Sequence, residues 1–95
     1  MNIYKDDFDI SRSTNVNIED GKFTITQYDI KPKVFDEERI FETDELDKVL
    51  IVFNASSTDE LLQILKENYN TSDAFDRITD LLINKVEGRY NRFTS

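Results

Sequence analysis

The chain has 95 residues with no cysteine, histidine or tryptophan, and 20 Asp and Glu against 12 Lys and Arg give it a formal net charge of −8. That composition removes thiolate nucleophiles, Ser-His pairs, histidine metal sites and disulfides from consideration. It also disfavours direct contact with nucleic acid, which needs clustered Lys and Arg, and favours a basic partner.

Leu, Ile, Val and Phe supply 29 of the 95 residues, well above the roughly 20% below which charged chains stay disordered. One folded domain over residues 1–95 is expected. The longest apolar run, Val49 to Phe53, is far short of the ~20 residues that span a bilayer. The N-terminus, M-N-I-Y-K-D-D-F-D, is too acidic for a signal peptide. A soluble, cytoplasmic protein is the expectation.

Residues 1–13 offer Tyr4, Phe8 and Ile10 for packing, but D-D-F-D also suits a flexible arm. Next, N-V-N-I-E-D-G-K-F-T-I-T carries Asp20-Gly21, a two-residue turn for a type I′ hairpin. That turn sets Glu19 opposite Lys22, Ile18 opposite Phe23, Asn17 opposite Thr24 and Val16 opposite Ile25, with the apolar residues sharing one face. Tyr28 and Ile30 fall on the other parity, which admits a bulge, a switch of face, or a second partly buried face. Pro32 ends the strand.

A short strand over Arg39–Thr43, a turn through Asp44–Asp47 and a strand over Lys48–Asn54 are expected to follow. K-V-L-I-V-F-N has no alternation, as in a strand covered on both faces. Ser57 and Glu60 have capping-box spacing at the start of a helix whose inward stripe is Leu61, Leu62, Ile64 and Leu65. A second helix is predicted from Asp73 to about Glu87, burying Phe75, Ile78, Leu82 and Val86 and ending at Gly88. The basic tail Arg89–Phe93 reads either as arginine and aromatic groups free to stack on bases or cap an acidic partner, or as an extension of that helix finishing the core. The fold class is therefore α+β: an antiparallel sheet of about four strands packed against two C-terminal helices.

Among chemical sites, a carboxylate pair for general acid–base catalysis would need a cleft that raises one pKa, and a domain this size has little room for one. An EF-hand loop counted from Asp7 would place Gly and Glu where this chain has Arg12 and Ile18. Asp44, Glu45 and Asp47 suit a solvated turn better than a divalent-ion site. No Gly-rich phosphate loop is present, no metal or cofactor is expected, and a non-enzymatic protein follows.

Surfaces remain. Phe35–Asp47 holds seven carboxylates, Asp36, Glu37, Glu38, Glu42, Asp44, Glu45 and Asp47, beside the single cation Arg39. On the second predicted helix, Asp73, Asp76, Asp80 and Glu87 fall within an arc of about 60° opposite the apolar stripe. Macrodipole complementarity accounts for Asp73 and Asp76 but not for Asp80 or Glu87. Carboxylates on a folded Phe35–Asp47 hairpin approach the charge density of a nucleic-acid strand, about one per 3.4 Å. Alternation divides them between two faces, and plain solubility is the competing reading.

A short, cysteine-free, acidic α+β chain of this kind resembles the small phage-encoded inhibitors of bacterial defence, including anti-CRISPR proteins. Over residues 35–87 its order of a small sheet, S-S-T-D-E-L-L-Q-I-L-K-E-N-Y and a second acidic helix is similar to Cas9 inhibitors of Gram-positive prophages. The resemblance implies a DNA mimic that occupies the groove of a basic, nucleic-acid-binding protein such as a Cas effector, in the host cytoplasm if the chain is phage-encoded. It carries no motif position by position. The alternative is an immunity-type protein or a self-associating structural or adaptor subunit, with Val49–Phe53 at the interface of a homodimer.

Overall fold

Asp20 and Gly21 adopt φ values of 51° and 76°, the left-handed geometry that a type I′ turn requires at both central positions. The computed structural model, which describes residues 1–7, 11–31 and 36–94, builds its sheet outward from this turn. Strands β2 (Ser11–Glu19) and β3 (Lys22–Ile30) pair without interruption from Glu19↔Lys22 to Ser11↔Ile30. The expected register is therefore the observed one.

Strands β1 (Asn2–Asp7), β4 (Asp36–Thr43) and β5 (Gly88–Thr94) complete one antiparallel sheet in the order β1-β2-β3-β4-β5. Helices α1 (Leu46–Val52), α2 (Thr58–Asn68) and α3 (Ala74–Leu82) lie between β4 and β5 in sequence. They contribute Val49, Leu61, Leu65, Phe75, Ile78 and Leu82 to the core, against Val16, Phe23, Ile25 and Phe41 of the sheet. The architecture is α+β, with one strand and one helix more than the sequence pattern suggests.

The local rules hold where they are strongest. The Ser57 hydroxyl accepts from the Glu60 amide at 3.1 Å, capping α2. The Glu60 carboxylate reaches back one residue further than a standard capping box, to the Ser56 amide and hydroxyl. Leu61 and Leu65 are fully buried beneath it, with Leu62 and Ile64 half-buried beside them.

Two expectations are corrected. Lys48–Asn54 is not a strand, because Leu46–Val52 is helical. Leu46, Val49, Leu50 and Phe53 recur at i, i+3, i+4 and i+7, a helical stripe that the continuous apolar run conceals. Val49 is buried, whereas Ile51 is 76% exposed. The helix stops because Asn54 takes φ 54°; the Ala55 amide then bonds the Leu50 carbonyl and the Asn54 amide that of Ile51. This is a Schellman ending with Asn in the left-handed position.

The second correction concerns the end of α3, which stops at Leu82 rather than near Glu87. Val86 still reaches the core, but the chain turns away so that residues 88–94 can pair with β4. Gly88 is thus the first residue of a strand. A β-carbon there would sit 2.6 Å from Phe41 Cε2 and 3.1 Å from the Glu42 carbonyl oxygen. Its role is close approach, and the tail is an edge strand rather than a helical extension.

Tyr28 and Ile30, for which a bulge, a switch of face and a second partly buried face were all open, lie on a regular strand with no bulge between β2 and β3. They point to the face away from the helices, where Tyr28 is half-buried and Ile30 exposed. Residues 2–7, for which packing and a flexible arm were both open, form the other edge strand, with a register shift between Asn2 and Tyr4. Phe8, Ile10, Pro32 and Phe35 lie outside the described residues.

Replacing Gly88 by Ala forces Phe41 or the β5 backbone to shift, and urea unfolding should report a loss of about 1–3 kcal/mol. Pairing it with Phe41→Leu should recover part of that loss.

Candidate functional site

The helix-facing side of the sheet changes character along the strands. Near the Asp20-Gly21 turn it is apolar, with Phe23, Ile25, Val16 and Phe41 at zero to 3% exposure. Toward the other end the same parity carries Thr14, Gln27 and Arg39, then Arg12, Asp29 and Glu37. Asp29 and Glu37 are buried and directly opposite each other, an arrangement that repels unless cations intervene.

Cations do intervene. Arg12 grips Asp29 through Nε and Nη2 at 2.8 and 2.9 Å and donates Nη1 to the Ser72 carbonyl, tying the sheet to the α2–α3 connection. The hydrogen bonds it donates to Asp29 hold the Arg12 guanidinium above its ordinary pKa. Arg92 meets Glu37 at 2.7 Å, with Lys31 at 3.9 Å on the same oxygen. Arg39 stacks 4.5 Å from the Phe75 ring while donating to Tyr90 Oη and Asp76 Oδ1 at 2.9 and 2.7 Å. Thr14 Oγ1 and Gln27 Oε1, on directly opposed residues, have no hydrogen-bond partner among the described residues.

The eleven acidic residues singled out by sequence do not share one surface. Asp36, Glu38 and Glu42 lie on the open face of β4, opposite in parity to the buried Glu37. Asp36 accepts from the Tyr28 hydroxyl. Asp44, Glu45 and Asp47 occupy the β4–α1 corner. Asp73 precedes α3 and accepts from Thr71, whereas Asp76 and Asp80 are exposed on the helix itself. Glu87 comes from the α3–β5 turn, so it is not part of a helical arc with the other three.

Several of these carboxylates are already neutralised by the chain's own cations. Arg89 binds Glu42 at 3.0 Å and Asp44 at 3.4 Å. Lys22 approaches Glu42 at 3.8 Å and Lys48 meets Glu45 at 2.6 Å. Exposed pairs of this kind add little stability, each in the range of ~0–1 kcal/mol, but they remove charge from the surface available to a partner. The basic tail does cap an acidic surface, and that surface is β4 of the same chain.

Glu45 has a structural duty as well. Its carboxylate accepts from the Glu87 amide at 2.6 Å, and that bond, with the Lys48 contact, holds its carboxyl below the usual range. The buried Thr43 hydroxyl accepts from the Glu45 amide and donates to the Glu87 carbonyl. These three bonds clasp the start of α1 to the start of β5.

What the fold gathers instead is an acidic end. The Asp20-Gly21 turn, the β4–α1 corner and the α3–β5 turn lie together, because Phe23, Thr43 and Gly88 are neighbours in register. Here Glu19, Asp20, Glu42, Asp44, Glu45, Asp47 and Glu87 outnumber Lys22, Lys48, Lys85 and Arg89, seven to four. Glu19, Asp20, Asp47 and Glu87 make no ion pair among the described residues. Glu19 and Asp20 are the members that sequence reasoning missed, since a turn signal had already explained them. No three acidic side chains among the described residues converge closely enough to hold a metal ion, the Asp44–Asp47 turn included. Among the described residues, no helix is long and apolar enough to cross a membrane.

No known protein family matches the chain, and no curated protein or solved structure is significantly similar to it.

Arg12→Leu should destabilise the fold by about 2–3 kcal/mol, below the 3–5 kcal/mol of a fully buried broken pair because Arg12 keeps contact with water. Conversely, Thr14→Val removes a buried hydroxyl without a partner while keeping the side-chain shape. It should stabilise by about 1 kcal/mol in the same unfolding assay.

Proposed function

We propose that this chain is a non-catalytic acidic binding protein that inhibits a basic, nucleic-acid-binding protein, such as a Cas effector, by occupying its groove. The carrying observation is the acidic end, where a hairpin tip and two chain reversals project carboxylates beyond the sheet, four of them without an ion pair among the described residues. Such a surface competes with phosphates for Lys and Arg, speeds association at low salt, and weakens as salt screens it. The action would lie in the cytoplasm, that of the host cell if the chain is phage-encoded.

Self-neutralisation refines which residues carry the interaction. Asp47 and Glu87 are exposed and make no ion pair among the described residues, whereas Glu37 is buried under Arg92 and Glu45 is committed to the α1–β5 clasp. Charge on the open face (Glu38) and on α3 (Asp80) points elsewhere.

The test is displacement of a fluorescent oligonucleotide from purified basic effectors, a Cas9-type nuclease first, across a salt series. Displacement should be strong near 50 mM salt and largely lost by about 500 mM. Asp47→Lys with Glu87→Lys should weaken it about tenfold. Glu38→Lys with Asp80→Lys changes net charge equally and should have a much smaller effect. Failure to displace from any basic effector, or displacement indifferent to salt, would count against the proposal.

A further inference from the structure

The two edges of the sheet are built differently. β1 carries a register shift and the charges Lys5, Asp6 and Asp7, devices that discourage another strand from adding to an edge. β5 pairs with β4 in unbroken register over all seven residues, and every one of them is exposed. It has no proline and no bulge. Its two charges, Arg89 and Arg92, are held by Glu42, Asp44 and Glu37 of the same chain. The charge that would repel a second strand is therefore compensated, and the outer edge of β5 is an open template.

We infer that the outer edge of β5 pairs antiparallel with β5 of a second copy, on a twofold axis through Asn91, to give a continuous ten-stranded sheet. The sequence G-R-Y-N-R-F-T is self-complementary about that residue. Gly88 meets Thr94, Arg89 meets Phe93, Tyr90 meets Arg92, and Asn91 meets its own copy. Each opposed pair shares a face, as antiparallel pairing requires, and four of them set a guanidinium beside an aromatic ring. Phe93 and Tyr90, 55% and 49% exposed, gain partners. A dyad through Arg92 would oppose like charges, and one through Tyr90 would leave Phe93 and Thr94 without strand partners.

The same geometry relieves long-range repulsion between two chains of charge −8. β5 starts at the acidic end and runs away from it, so an antiparallel pair places the two acidic ends at opposite extremes of the joined sheet. This pairing is independent of the proposed inhibitory role, since it uses a different edge and its test contains no other protein. A single strand edge buries less than the roughly 1,600 Å² of a standard interface, so the dimer belongs to the weak, transient class.

Sedimentation equilibrium over a wide concentration range tests it. The mass should rise from 11.2 kDa toward twice that value and stop. Phe93→Lys sets two like-charged pairs with Arg89 across the dyad and should weaken dimerisation about tenfold. Within the monomer the new lysine faces Glu38, so the melting temperature should hold or rise. Phe93→Glu should do the reverse, keeping or strengthening the dimer while lowering monomer stability. A chain that stays monomeric throughout, growth past the dimer as head-to-tail β5–β1 pairing would give, or a dimer indifferent to Phe93→Lys each overturns the inference.

Discussion

Most of the molecule depends on the pairing of an acidic strand with a basic one. β4 sits between β3 and β5 with Glu37, Glu38 and Glu42 in its span. β5 brings Arg89 and Arg92 alongside. Without Arg92, Glu37 would lie buried opposite Asp29 with Lys31 as its remaining ion pair among the described residues. A strand so rich in carboxylate reaches an interior position because cations come from 47 and 55 residues away in sequence. The three helices between the two strands can then fold back over one face of the sheet.

That pairing also divides the charge of the chain into two kinds. The buried carboxylates in the polar half of the sheet, Asp29 and Glu37, are hydrogen-bonded and cation-paired, and they serve the fold. Arg39 shows how closely the two halves are tied: one guanidinium lies against Phe75, bonds the β5 residue Tyr90, and reaches Asp76 on α3. Carboxylates beyond the turns, at the end where the sheet is apolar inside, are left to solvent. The candidate surface is therefore what remains after the fold has used the charges that it needs.

Legibility followed the range of the interaction. Asp20-Gly21 fixed the four opposed pairs nearest the turn because turn chemistry and alternation agree within a dozen residues, and the same register continues to Ser11↔Ile30. Ser57 capped α2 for a similarly local reason. The Leu46–Val52 segment was misleading, since a short apolar run looks alike whether it is a helix or a covered strand. The i, i+3, i+4, i+7 stripe and the left-handed Asn54 were present as signals, but weaker ones than β-branched composition. On the candidate site, the carboxylates were visible as residues while their partners were not. Arg89 and Arg92 are opposite Glu42 and Arg39 in register, with Arg92 bonding the neighbouring Glu37, a relation that no local pattern encodes.

The sequence alone determined the central hairpin, the capped second helix, the apolar inventory of the core and the acidic balance. Those follow from backbone geometry and periodicity acting over a few residues. Only the tertiary structure decided that residues 88–94 become a fifth strand, that Glu37 and Glu45 belong to the fold, and that Glu19 and Asp20 join Asp47 and Glu87 at one end. The reason is that strand pairing and ion pairing are long-range. They set which charges cancel, and that cancellation is absent from the chain until it closes on itself.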